Sequence, residues 1–249
     1  MKRLPVPFIG QGQDLPTGCE SVSAAMVLQY LGFSVTAEEF AREWLPRGRF
    51  YRDENGVRHG PDPRRAFVGD PHDPEALGCW ASAVQTGLSR FLAAKSRDGA
   101  GTYRVKNETG AELGYLCRRY IDRDLPVLLW VSIDLRPTVN GPWYRLEPGG
   151  EPFMWISNEH CVVLAGYDRE HYICCDPWKD RGMAAWPRGR CGSGTGSWGC
   201  RRWPWRGRYE AAGGDSSGPA AGADGLHPGG TGRPGGGTGG GAGLHGPDL

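Results

Sequence analysis

The sequence lacks the two features that would place a protein on a membrane or on nucleic acid. Its apolar runs fall well short of the roughly 20 residues that a helix needs to cross a bilayer. Its 29 basic residues nearly balance its 28 acidic residues, so the net charge of +1 predicts no attraction to nucleic acid or to an anionic membrane. The opening segment MKRLPVPFIG has a short apolar part broken by prolines, which does not predict a signal peptide, and a cytoplasmic location is expected.

The eight cysteines also lack the spacing of a structural zinc site, because no two of them are separated by exactly two residues. They do not indicate a disulfide framework either, since Cys174 and Cys175 are adjacent and a chain of 249 residues can bury a core without cross-links. Most of them are therefore predicted to be reduced and buried. The eight are Cys19, Cys79, Cys117, Cys161, Cys174, Cys175, Cys191 and Cys200.

The C-terminal part of the chain, residues 187–249, lacks Val, Ile, Phe, Met, Lys, Asn and Gln altogether. The same 63 residues hold 22 of the 41 glycines. Such a segment has too little apolar surface to offset the entropy lost on ordering. We therefore predict one domain over residues 1–186 and a low-complexity tail over 187–249. The tail is either a disordered segment or the product of out-of-frame translation.

The remaining sequence changes its hydrophobic period about halfway along. Apolar residues recur at helical spacing in the first half and form continuous strand-like runs in the second half. The order of helices first and an antiparallel sheet second predicts an α+β fold, with the helices packed on the sheet. The predicted helices are 19–30, 36–44, 78–94 and 111–123; the predicted strands are 126–133, 160–167 and 172–176; and 46–78 and 135–158 are predicted connections.

The segment PTGCE, residues 16–20, predicts the position of a nucleophile. Thr17 and Glu20 have the spacing of a capping box, which would put Cys19 in the first turn of a helix ending before Gly32. Free N–H groups and the positive end of the helix dipole favour a thiolate there, so a lowered pKa is expected for Cys19. The alternative is that Cys19 is a small buried apolar residue, which is the commoner role of a free cysteine.

Three further residue types would complete a cysteine nucleophile: a base, a group that orients the base, and a donor for the oxyanion. Of the six histidines only His160 opens an apolar strand, although it could also be a hydrogen-bonded core residue. Asp176 ends the partner strand and must find a partner there, unless it serves as a turn residue. Gln11 and Gln13 precede the cysteine, and either amide could reach the oxyanion. The alternative for each is an ordinary surface glutamine without a role in the site.

The two strands constrain one another if His160 and Asp176 meet. Because successive side chains alternate between faces, the two residues face each other directly only in a hairpin centred on Asp168. That register pairs Val162 with Cys174 and Leu164 with Tyr172. A four-residue loop over 168–171 fits the composition equally well, but without a bulge it turns the carboxylate to the other face.

These segments resemble the papain-like cysteine peptidases, and most closely their peptidase C39-like branch, which is related to bacteriocin-processing double-glycine peptidases. The resemblance covers about residues 4–186 and rests on VPFIGQ, LPTGCE, DPRRAFVGDP, NEHCVVLAGYD and YICCDPW. It implies that Cys19 is the nucleophile, His160 the base and Asp176 the orienting residue. Gln11 matches the glutamine that donates to the oxyanion in the branch, while the shorter gap of the wider papain-like pattern would fit Gln13.

The resemblance implies a papain-like fold and hydrolysis of a peptide or amide bond, with no metal and no organic cofactor. The expected partner is a peptide or amide substrate. Two other functions stay open at this point. One is a catalytically inactive peptide-binding module on the same fold, since a fold alone does not fix a function. The other is transfer of the acyl group to an acceptor other than water.

Overall fold

The structure, a computed structural model, describes residues 1–95 and 103–191. The predicted tail lies almost entirely outside these residues. Among the described residues no helix is long and apolar enough to cross a membrane. The helices are α1 (Cys19–Tyr30), α2 (Ala37–Glu39, continued by a π-helical turn Phe40–Trp44), α3 (Ala81–Lys95) and α4 (Leu113–Arg119), with 3₁₀ turns at Ile121–Arg123, Ile133–Leu135, Trp178–Asp180 and Arg188–Arg190.

The strands of the described residues form three sheets. They are β1 (Lys2–Arg3), β2 (Arg47–Gly48), β3 (Tyr51–Arg52), β4 (Arg58–Pro61), β5 (Phe67–Val68), β6 (Val127–Ser132), β7 (Asn140–Glu147), β8 (Pro152–Ile156), β9 (Glu159–Tyr167), β10 (His171–Asp176) and β11 (Gly182–Pro187). The main sheet has the order β1-β9-β10-β11, with β6 also paired to β9, and all its pairings are antiparallel. β2 and β5 form a two-stranded sheet, and the third sheet has the order β3-β4-β7-β8.

Strand β9 lies at the centre of the main sheet and carries α1 on one face. Its residues from His160 to Gly166 are all buried, and those after His160 are apolar, as expected for a strand that is covered on both faces. The Ser23 hydroxyl of α1 donates to the Cys161 carbonyl of β9 at 3.0 Å, so a polar contact as well as apolar packing fixes the helix on the strand. The expected arrangement of helices on an antiparallel sheet is therefore confirmed.

Helix α1 begins at Cys19 as predicted, but the predicted capping box is wrong. The N-cap is Gly18, and no side chain bonds to the first turn. The Thr17 hydroxyl instead donates to the carbonyls of Pro71 and Asp73, at 3.2 and 3.1 Å. Glu20 cannot complete the box because its carboxyl is buried beneath the helix. The second capping box is better matched, since the backbone N–H of Glu39 donates to the Thr36 hydroxyl at 3.0 Å.

The third sheet contradicts the prediction that residues 135–158 are a connection without strands. β7 and β8 form an antiparallel pair in this stretch, and β7 also pairs in parallel with β4. Tyr144, Phe153 and Trp155 are buried between this sheet and the neighbouring segments, where they form a small core of their own. The strands were missed because proline and glycine are frequent around them, while the aromatic residues that hold them recur only at alternate positions.

The hairpin of β9 and β10 has a four-residue loop, and the predicted residue pairs are wrong. The Asp168 N–H donates to the His171 carbonyl, and Tyr172 lies opposite Tyr167. The register then shifts by one residue, so that Cys174 lies opposite Leu164. Without this bulge, the even loop would have turned the Asp176 side chain to the face opposite that of His160. The bulge returns it to the same face. His160 and Asp176 consequently lie on the same face as diagonal neighbours instead of directly opposite residues.

The described residues that follow β11 contact the main sheet, so a truncation that removes them is expected to destabilise the domain. The Arg188 guanidinium lies over the rings of Tyr167 and Tyr172, at 5.3 and 4.8 Å from their centroids. Ending the chain after Cys191 is expected to leave Tm within about 2 °C of the full chain, because the removed tail is poor in apolar residues. Ending it after Trp186 removes Arg188 as well and is expected to cost about 1–2 kcal/mol.

Thermal unfolding of the two truncated proteins and of the full chain checks this prediction. A large loss of helix and sheet signal in the protein that ends after Cys191 would show that the tail stabilises the domain. Equal Tm values for the two truncated proteins would show that the contacts of Arg188 contribute nothing.

Candidate active site

Cys19 is the first residue of α1 and follows a tight turn from Leu15 to Gly18. The Gly18 N–H donates to the Leu15 carbonyl at 3.0 Å, and a Cβ on Gly18 would lie only 2.9 Å from the Leu15 Cβ. Glycine is therefore required by the space available at the N-cap. Thr17 ties the same turn to residues 71–73 through its backbone and its side chain. The local sequence thus fixes where the helix begins and where the thiol is placed.

The Cys19 sulfur has two hydrogen-bond partners among the described residues, and neither is the His160 ring. The thiol donates to Glu20 Oε2 at 3.3 Å, and the Cys161 N–H donates to the sulfur at 3.4 Å. Only 6% of Cys19 is exposed. The resting thiol is therefore held at the base of the helix, between α1 and β9.

The electrostatic surroundings of Cys19 differ from those that the sequence predicts. Burial, followed by the nearby carboxyls of Glu20 and Glu159, raises the pKa of the Cys19 thiol well above its usual value. The expectation of a lowered pKa at a helix N-terminus is therefore wrong for the resting state. The raised pKa favours the neutral thiol, so any reaction of this sulfur as a nucleophile would need a base to accept its proton.

His160 and Asp176 form a buried pair at the ends of β9 and β10. The His160 Nε2 atom lies 2.7 Å from Asp176 Oδ1, and both side chains are almost completely buried. Burial acts to raise the pKa of Asp176, but the hydrogen bond and the charge of His160 outweigh it and the pKa is lowered. The contact through Nε2 leaves the other ring nitrogen, Nδ1, available for a second partner.

Two residues near Asp176 support this pair. The Trp178 N–H donates to Asp176 Oδ1 at 2.9 Å, and the Trp178 ring packs edge-on against His160 with centroids 6.0 Å apart. Arg181 places a guanidinium nitrogen 3.5 Å from Asp176 Oδ2. The carboxylate is therefore held from three sides, and Trp178 shields the imidazole from solvent. Trp178 directly follows Asp176 and Pro177 in the sequence, and this position next to the carboxylate could have indicated its role.

Cys19 and His160 both line a groove with a volume of about 420 Å³. The lining residues come from the turn before α1, from Trp178, from the third sheet and from the segment over residues 74–77. The third sheet, which the sequence analysis missed, therefore supplies part of the lining, including Trp155 of β8. A groove of this size accommodates a few residues of an extended peptide.

The two candidate glutamines differ in position. Gln11 lines the groove, whereas Gln13 is exposed and does not line it. The Gln11 side-chain nitrogen donates to the carbonyls of Leu15 and Pro16, at 3.2 and 2.8 Å, while its Oε1 is buried without a described partner. The Gln11 N–H also donates to the Pro177 carbonyl, which joins this turn to the Asp176 segment. The Gln11 amide would have to turn away from these carbonyls to direct an N–H into the groove.

A second cluster lies beneath the groove and was not predicted from the sequence. The donor atoms of Cys19, Glu20 and Glu159 lie within 4.8 Å of one another. Both oxygens of Glu20 already have partners, because Oε1 accepts from the Cys79 N–H at 2.6 Å and Oε2 accepts from Cys19. Glu159 Oε1, by contrast, is buried without a described hydrogen-bond partner. Because Glu20 is already committed to two other groups, we assign these three residues no metal.

Comparisons with known proteins bear on the family and the fold of the chain. The model of the Peptidase_C39 like family matches residues 3–199. The uncharacterized protein YvpB of Bacillus subtilis is 26% identical over 164 residues, which are 66% of this chain. The match spans 59% of the length of that curated relative. The crystal structure of a presumed C39-like peptidase from Bacillus anthracis is 26% identical, with a TM-score of 0.61 over 78% of this chain and 92% of that one.

Proposed function

The chain belongs to the Peptidase_C39 like family, and from this premise we propose that it is a cysteine-type peptidase or amide hydrolase. Cys19 is the nucleophile in this proposal, His160 the general base and acid, and Asp176 the residue that orients the imidazole. One observation carries the proposal most strongly. The imidazole of His160 is held by Asp176 through Nε2, and His160 lines the same groove as Cys19.

The neutral resting thiol determines how the reaction begins. Because burial keeps the proton on Cys19, His160 must accept this proton through Nδ1 as the sulfur attacks the substrate carbonyl. The imidazolium that forms is stabilised by the Asp176 carboxylate 2.7 Å from Nε2. His160 then gives the proton to the departing amine, and the acyl group stays on sulfur. Water attacks the thioester next, with His160 again acting as the base, and releases the acid.

The negative charge on the carbonyl oxygen needs donors at the start of α1. The first backbone N–H groups of a helix have no partner within the helix, so the Cys19 N–H is one donor. We assign the second to the Gln11 amide, which lines the groove while Gln13 is exposed. This role requires the amide nitrogen of Gln11 to leave the carbonyls of Leu15 and Pro16 when substrate binds.

The proposal is tested with the full chain and a library of peptides. Cleavage that depends on Cys19 is the expected result. Binding of peptides without cleavage would instead favour the inactive binding module. The third possibility is tested by adding primary amines, because an acyl-transfer enzyme would give amide products in place of the free acid. A library that is neither cleaved, bound nor transferred would overturn the proposal.

Replacement of Asp176 separates its orienting role from the chemistry itself. Asp176→Ala is expected to lower kcat/KM by about 10²-fold, because the imidazole loses the partner of Nε2 and its fixed orientation. Asp176→Asn is the matched variant, since its amide oxygen can still accept from Nε2, and it should retain more activity than the alanine variant. Steady-state kinetics on a cleaved peptide, with Tm as the control for folding, measure the difference. Equal kcat/KM for wild type and Asp176→Ala would exclude the orienting role.

A further inference from the structure

Glu20 is a buried acid that the proposed reaction does not use. It is fully buried, although it directly follows the nucleophile on a helix that faces a groove. Its two oxygens have separate partners, with Oε1 receiving the Cys79 N–H at 2.6 Å and Oε2 contacting the Cys19 sulfur at 3.3 Å. A carboxyl held from one side by the backbone and directed at the sulfur from the other is placed to control that sulfur.

The groups that face Glu20 come from three parts of the fold. Cys19 belongs to α1, Cys79 lies just before α3, and Glu159 and Cys161 lie on β9. Among the described residues no lysine, arginine or histidine forms an ion pair with Glu20 or Glu159, so nothing there compensates two negative charges. Burial raises the pKa of Glu20 to about 7, and burial together with Glu20 raises the pKa of Glu159 well above its usual value.

We propose that Glu20 is a positioning residue that holds the Cys19 sulfur. When Glu20 is protonated it supports formation of the Cys19 thiolate, and when it is ionised it opposes it. This inference rests on the proposed function, since it describes how the same thiol is prepared for attack.

The direction of the effect follows from the contact between Glu20 Oε2 and the sulfur. When Glu20 is protonated, Oε2 can donate to the sulfur beside the donor N–H of Cys161, and both bonds stabilise the thiolate that forms as His160 takes the proton. When Glu20 is ionised, Oε2 can only accept, so it binds the thiol proton. Its negative charge then also opposes a thiolate 3.3 Å away. Attack by Cys19 is therefore favoured below the pKa of Glu20 and opposed above it.

The test uses alkylation of Cys19 by iodoacetamide in the full chain, followed by mass spectrometry of the Cys19 peptide. Glu20→Gln keeps an oxygen for the Cys79 N–H and replaces the titrating oxygen with a permanent donor. The variant and the wild type should react at similar rates at about pH 5.5. At that pH the protonated Glu20 of the wild type, like the glutamine of the variant, is uncharged and can donate to the sulfur. Near about pH 8.5 the variant should react at least about tenfold faster, because no carboxylate opposes its thiolate.

Glu43→Gln is the matched control, because Glu43 is exposed on the π-helical turn and belongs to no part of the site. Its alkylation profile should follow that of the wild type. A constant ratio between Glu20→Gln and wild type across the pH range would overturn the proposal, and so would a variant that is slower at every pH.

Peptide cleavage provides a second measurement that separates this proposal from the function itself. The kcat/KM of the wild type should fall above about pH 7, and Glu20→Gln should lack that fall. If neither protein cleaves any peptide, the proposed function fails while the alkylation profiles still decide the role of Glu20.

Glu159→Gln serves as the second variant if Glu20→Gln does not fold, as judged by circular dichroism. It leaves the contacts of Glu20 in place and removes the other carboxyl near the sulfur. Faster alkylation is expected at the alkaline end, because the negative charge of Glu159 contributes to raising the pKa of the Cys19 thiol. No change at any pH would show that the charge of Glu159 does not act on the thiol, and a wild-type alkylation profile without a break near pH 7 would then overturn the role of Glu20.

Discussion

Replacing Cys19 by alanine is expected to lower kcat/KM by at least about 10³-fold for any peptide that the chain cleaves. The sulfur is the atom that attacks in the proposed reaction, and Cys19 is the one cysteine among the described residues that line the groove. The loss should lie in kcat, because peptide binding depends on the groove walls and not on the sulfur. Steady-state cleavage and direct binding of the same peptide to the variant measure the two contributions.

Cys117→Ala is the matched control for this experiment. Cys117 is also a buried, free cysteine, but it lies on α4 in the apolar core away from the groove. Its replacement removes the same atom and should cost a comparable small amount of stability, with kcat/KM unchanged. Retained cleavage by Cys19→Ala, or equal losses in the two variants, would show that Cys19 is a core residue and not the nucleophile.

The position of Cys19 was predictable because it depends on local sequence. Pro16 and Gly18 fix the turn, and the apolar spacing after Cys19 fixes the helix, so its start can be read within a dozen residues. A contact between His160 and Asp176 was also predictable. His160 opens one buried strand, Asp176 ends the next, and a buried carboxylate needs a partner. Their register was not predictable, because it depends on a bulge opposite Ile173 and Cys174.

The role of Glu20 shows what a local pattern cannot reveal. The spacing of Thr17 and Glu20 is that of a capping box, and within the helix alone that reading is sound. The partner that Glu20 actually binds is the Cys79 N–H, 59 positions further along the chain. Only the packing of α1 against the segment before α3 brings the two together, and the change in the thiol pKa follows from that packing.

The electrostatics of the thiol were mispredicted for the same reason. A helix N-terminus does favour a thiolate, but its effect is modest, typically about 0.3–1 kcal/mol at an exposed site. Burial and two neighbouring carboxyls act in the opposite direction on Cys19 and outweigh it. The sequence places Glu20 beside Cys19, yet it does not reveal that Glu159 approaches from β9.

Trp130 connects the core to this cluster, and its truncation is expected to destabilise the fold strongly. It lies on β6 opposite Cys161 of β9 and is nearly completely buried. Its indole N–H donates to the Cys79 carbonyl at 2.9 Å, while the Cys79 N–H donates to Glu20. Both polar groups of the Cys79 backbone are therefore fixed by buried side chains from different elements.

Trp130→Ala is expected to lower the free energy of unfolding by about 3–5 kcal/mol, because it leaves a large cavity and an unpaired buried carbonyl at Cys79. Trp130→Phe separates the two effects, since it keeps most of the apolar contacts and loses the N–H; its cost should be about 1–3 kcal/mol. Urea denaturation of both variants measures these values. A phenylalanine variant as unstable as the alanine variant would assign the stabilisation to the hydrogen bond. An alanine variant as stable as wild type would show that the contacts of Trp130 do not stabilise the fold. It would also show that Cys79 binds Glu20 without support from Trp130.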